Sequence, residues 1–120
     1  MDCSKKEIIA PLEKLTGDVA DWADTLPEVS TVYIFGSRVR GDHRQDSDVD
    51  LHIEIILGVP FPRWGEENRN NFANLRRVLP GELSLHQDAN DVALPYIKKG
   101  EHKYRCRKVI CVVTPKKSEI

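Results

Sequence analysis

The chain alternates between two spacings of apolar residues, and each predicts a different element. Ile8, Leu12, Leu15, Val19, Trp22 and Leu26 recur at steps of three and four, the stripe that one face of a helix buries, so a helix is expected over most of residues 4 to 25. Ser4 with Glu7 offers a capping pair at its start. Pro11 and Gly17 both weaken a helix interior, which leaves room for a kink or a later start near Pro11. Thr31 to Phe35 is a short β-branched and aromatic run stopped by Gly36-Ser37, as expected of a buried strand that ends in a turn.

From Asp48 to Ile56 the period changes to two. Val49, Leu51 and Ile53 fall on one side of this strand and Asp48, Asp50, His52 and Glu54 on the other, giving one core face and one polar face. After the break at 58–62, Trp64, Asn68, Phe72, Leu75 and Leu79 mark a second helix that ends at Pro80-Gly81. A third strand is expected at Glu82 to His86, a short helix around Ala93, Leu94 and Ile97, and a last strand over Tyr104 to Val113. This order predicts a mixed α/β (α+β) fold, with helices packed on a small sheet.

Composition narrows the class. A chain of 120 residues with 40% hydrophobic and 31% charged residues has the size and balance of a single folded domain over 1–120 rather than a disordered tail. Its apolar runs are too short to span a bilayer, and the segment from Met1 to Glu7 lacks the apolar stretch of a secretory signal, so no membrane partner and a cytoplasmic location are expected. Cys3, Cys106 and Cys111 lack the spacing of a zinc knuckle and are expected as free thiols. A net charge of −1 argues against coating nucleic acid by charge alone. The basic bias from Lys98 to Lys117 is expected to be a solvated face, with its lysines and arginines guarding an edge strand.

The chemistry concentrates between Phe35 and Leu51. Gly36 carries no side chain to block a phosphate, and the turn after the strand can present backbone amides to anionic oxygens. Ser37 adds a hydroxyl, and Arg38 or Arg40 a charge-assisted bond, although Arg38, Arg40 and Arg44 also fit an ordinary surface mixture with Asp42, Asp46 and Asp48. Asp48 and Asp50 lie two apart, so in a strand their carboxylates project to one side, roughly 7 Å apart at the backbone. Magnesium or manganese prefers such oxygen ligands and completes its shell with water and substrate phosphate. Two ions together would activate a hydroxyl and stabilise a pyrophosphate leaving group. Trp64, Phe72 and Leu75 are expected in the core rather than around a nucleobase.

Gly36-Ser37, ten intervening residues and then Asp48-Val49-Asp50 resemble the minimal nucleotidyltransferase branch of the DNA polymerase beta superfamily; Gly41 and Ser47-Asp48 also fall where that family has them. The resemblance implies a nucleotidyltransferase fold, Gly36 and Ser37 on a triphosphate, and Asp48 and Asp50 on Mg2+ or Mn2+. It also implies transfer of a nucleoside monophosphate, AMP from ATP, to a hydroxyl. For a chain this short the acceptor is expected to be a protein, with no requirement for nucleic acid. Small members of the family are frequently paired with a HEPN-type toxin, which implies an antitoxin role. The family usually adds a third carboxylate from a later strand, where this sequence has Ser84 within Leu83-Ser84-Leu85. Glu82, His86 or Asp88 could substitute as ligand or general base, and the pattern does not choose among them. A domain that binds and neutralises a partner without chemistry is the competing expectation.

Overall fold

The computed structural model describes residues 10–56, 61–86 and 102–114. The elements run α1 (Ala10–Asp24), β1 (Val29–Phe35), α2 (Ser37–Arg40), β2 (Val49–Ile55), α3 (Phe61–Glu67), α4 (Arg69–Val78), β3 (Leu83–Leu85), β4 (His102–Cys106) and β5 (Val109–Val112). The strands form one sheet in the order β3-β2-β1-β5-β4. β1 pairs antiparallel with β2 and parallel with β5, β2 pairs parallel with β3, and β4 pairs antiparallel with β5. This is the mixed sheet with packed helices that the apolar spacing predicts.

Leu12, Leu15, Val19, Trp22 and Leu26 of the stripe are buried as expected and join Val32, Ile34, Leu51 and Val109 in one core. Pro11 is the second described residue of α1. Trp22 packs against Phe72 with ring centroids 5.5 Å apart, and its indole nitrogen donates to the Asn71 carbonyl at 2.7 Å. Trp64 meets the same Phe72 edge-on at 5.6 Å. Trp64, Phe72 and Leu75 are therefore core residues.

Three local readings are corrected. The single helix expected from Trp64 to Leu79 is two, separated at Asn68. That side chain donates to the Trp64 carbonyl, the kind of competition with the main chain that interrupts helices, and accepts from the Asn71 side-chain nitrogen. The strand expected over Tyr104 to Val113 is a hairpin, turning at Arg107 with φ of 56°. Neither Arg107 nor Lys108 is a usual turn residue; tertiary contacts hold the turn instead. Arg107 pairs with Asp21 and Asp24, and the Lys108 ammonium donates to the Ala23 and Leu26 carbonyls at the end of α1. Finally, Cys106 is disulfide-bonded, while Cys111 is free and buried. The cap expected at Ser4, the short helix around 93–97 and Asp88 lie outside the described residues.

Candidate functional site

The glycine turn and the aspartate strand meet because β1 and β2 are antiparallel neighbours, with Phe35 opposite Asp50. The chain leaves β1 through Gly36 at φ 86° and ψ −158°, a conformation that side chains other than hydrogen rarely tolerate. A Cβ at this position would stand 2.2 Å from Asp50 Oδ2. Glycine is thus required by the backbone and by the carboxylate lying over it. The Gly36 carbonyl accepts from the Val39 and Arg40 amides, which starts α2, and the first amides of a helix have no acceptor within it.

The loop from α2 to β2 is fixed from beneath. Arg38 is buried, and its guanidinium donates to the Ser47 carbonyl at 2.9 and 3.2 Å and to the Gln45 carbonyl at 3.1 Å. The Ser47 hydroxyl accepts from the Arg44 amide at 2.7 Å. Arg40 reaches the other way, donating to the Thr114 carbonyl at 2.9 Å and pairing with Asp42. Lys103 donates to the Val39 carbonyl at 2.9 Å. Lys103 and Thr114 thus tie the end of the sheet to α2. Sequence reasoning assigned them no such part, because the only available signal, a basic bias, has no direction.

Asp48 is exposed and precedes the first residue of β2, whereas Asp50 is half-buried within it. On the polar side of the sheet, Asp50 Oδ1 lies 3.0 Å from His86 Nε2, and the same nitrogen is 3.1 Å from Ser84 Oγ. A carboxylate only accepts, so Nε2 carries the hydrogen in this contact. The parallel register sets Ser84 directly beside Asp50. His86 is itself held by its main chain: its amide donates to the Leu51 carbonyl at 2.8 Å, and its carbonyl accepts from His52 Nδ1 at 2.7 Å. His52, expected to be a satisfied polar residue, is buried and stacked on Tyr33. Burial, then the nearby Glu54 carboxylate, pushes the Tyr33 hydroxyl up from its ordinary value.

The sequence candidates therefore divide. Gly36, Asp50, Ser84 and His86 come together; Asp48 is exposed, just before β2; Arg38 faces the loop carbonyls and Arg40 the Thr114 end. Glu82 is exposed, and its carbonyl accepts from the Val49 amide. The carboxylates of Asp48 and Asp50 offer the hard oxygen donors that magnesium or manganese takes. Among the described residues, no three His, Cys, Asp or Glu side chains already form a cluster that could hold an ion, and no helix is long and apolar enough to cross a membrane.

A family model described as polymerase beta, nucleotidyltransferase matches residues 18–98. That span takes in every candidate from Gly36 to His86. No curated protein and no solved structure matches the chain.

Proposed function

Because the chain belongs to the polymerase beta nucleotidyltransferase family, whose reaction is nucleotidyl transfer, we propose that it moves AMP from ATP to a hydroxyl of a partner protein. The observation that carries this reading is the Asp50 carboxylate lying over Gly36, at the mouth of a turn whose glycine leaves no side chain in the way. In it, the first amides of α2 and the Ser37 hydroxyl receive the phosphate oxygens. Arg38 acts by holding the Gln45 and Ser47 carbonyls so that Asp48 keeps its place, and Arg40, bonded to Thr114 and paired with Asp42, braces the end of α2.

Asp48 and Asp50 would hold Mg2+ or Mn2+, which when bound neutralises the triphosphate and favours ionisation of the attacking hydroxyl. The acceptor oxygen forms a bond to the α-phosphorus as the bond to the bridging oxygen of pyrophosphate breaks, and the hydroxyl proton passes to water. The partner in this reading is a HEPN-type toxin, and the chain its antitoxin. Incubation with α-labelled ATP, magnesium and the candidate partner tests it: the partner becomes labelled, and Asp50→Asn abolishes the labelling. Label remaining wholly in ATP, despite a stable complex, defeats the catalytic reading.

One observation favours a second reading, a binding module that neutralises its partner by masking. The residue beside Asp50 is Ser84, not a carboxylate, and His86 already occupies one Asp50 oxygen. Neutralisation that survives Asp48→Asn combined with Asp50→Asn would select masking.

A further inference from the structure

We infer that the cavity between α1, the loop from α2 to β2 and the end of α4 is a binding site for a small neutral molecule, a single apolar ring bearing one hydroxyl. Leu12 and Leu15 of α1, Val78 of α4 and Pro80 just beyond it supply apolar walls, and Arg38 and His43 also line it. None of Gly36, Asp50, Ser84 or His86 lines this cavity, so the inference does not depend on the nucleotidyl-transfer reading.

The walls are fixed by contacts of their own. Leu12 and Leu15 are buried in the core, and the Arg38 guanidinium is held by the Gln45 and Ser47 carbonyls. After Pro80, Gly81 lies so close to the loop that a Cβ would strike the Ser47 carbonyl oxygen. The space so bounded is about 160 Å3, close to the roughly 150 Å3 of an apolar cavity that accepts one benzene molecule. One polar atom of a lining residue is unsatisfied: His43 Nδ1 is buried and has no hydrogen-bond partner among the described residues. Leaving such an atom unpaired is costly. A hydroxyl pairs it whichever ring nitrogen carries the hydrogen, because an O–H both donates and accepts. The lining asks for no charge. Lys14 and Asp18 border the cavity as an ion pair at 2.9 Å, and Arg38 directs Nε and Nη2 to the loop carbonyls. An ionised ligand would meet charges already engaged, whereas a neutral ring with one hydroxyl matches both the apolar walls and the orphan nitrogen.

The test is a nuclear magnetic resonance titration of the full chain, labelled with 15N at histidine, using phenol and then benzene as probes. Phenol is expected to bind saturably, to show nuclear Overhauser contacts from its ring to the Leu12 and Val78 methyls, and to shift one histidine ring nitrogen. Benzene, which offers the same ring without the hydroxyl, is expected to bind about tenfold more weakly, the scale of one lost hydrogen bond to a buried group. His43→Phe keeps an aromatic ring but lacks the nitrogen; in it the shifted resonance is gone and the two probes bind alike. The comparison of probes and the methyl contacts are read in wild type, so they decide the matter even where that variant fails to fold. Equal affinity for phenol and benzene in wild type overturns recognition through His43, as does a phenol-shifted resonance that persists in folded His43→Phe. Phenol that contacts other methyls, or that shows no saturable binding up to its solubility, overturns the site itself.

Discussion

Gly36 and Asp50 constrain each other at the scale of single side chains. An alanine at 36 would take a φ of 86° and place its methyl 2.2 Å from Asp50 Oδ2. The backbone strain costs about 1–3 kcal/mol. The contact is relieved when the carboxylate rotates away, which breaks its bond to His86. Gly36→Ala is therefore expected to lower stability modestly, read from denaturant midpoints, while reducing nucleotidyl transfer far more. An intact activity in the alanine variant would show that the carboxylate position is not critical. Arg38 has the opposite balance. Arg38→Met keeps the aliphatic bulk but removes three hydrogen bonds to loop carbonyls, each worth roughly 1.5–3 kcal/mol when a charged group donates. The variant is expected to be destabilised and cleaved faster by protease between residues 41 and 48; unchanged cleavage there would contradict the brace. The charge of Arg38 is legible in the sequence, but not that its guanidinium donates to the Gln45 and Ser47 carbonyls.

Among the elements, α1 and the β4–β5 hairpin are joined by charge at the helix end. No basic residue occupies the last turn of α1, and Lys108 supplies the missing positive group from the hairpin. Lys108→Met is expected to lower stability by about 0.3–1 kcal/mol, the usual scale for a cation at a helix C-terminus, and to lose that difference in high salt. Equal melting of variant and wild type at low salt would refute it. This junction also explains what could be read in advance. The stripe on α1, the alternation on β2 and the Gly-Ser turn each depend on neighbours a few residues away, and all were legible. The Arg107 turn has no local signature because its support comes from Asp21 and Asp24, far off in sequence. For the same reason the pattern left Glu82, His86 and Asp88 open: only the parallel register of β2 with β3 sets Ser84 beside Asp50 and brings His86 to its oxygen.

For the whole molecule, the buried thiol of Cys111 reports on integrity. Burial, only partly offset by its Thr16 contact, pushes the thiol up to about 11 from its ordinary 9. A folded value above the unfolded one means the stabilising preference for the neutral thiol is fully present below pH 9 and is lost as pH rises toward 11. Stability is expected to fall across that window by roughly 1.4 kcal/mol per pH unit from this group, and Cys111→Ala should flatten the slope. A slope unchanged in the variant would place the alkaline loss elsewhere. The central position of β1 has a kinetic consequence too. Its antiparallel edge is completed by β2, the next strand in the chain, but its parallel edge joins residues 32–34 to residues 109–111. Closing so long a loop carries an entropic penalty that long-range parallel pairing must overcome, which slows folding. The half that carries the glycine turn and both aspartates is therefore expected to form early, and the seam between β1 and β5 to close last and set the rate at which the domain reaches its native state.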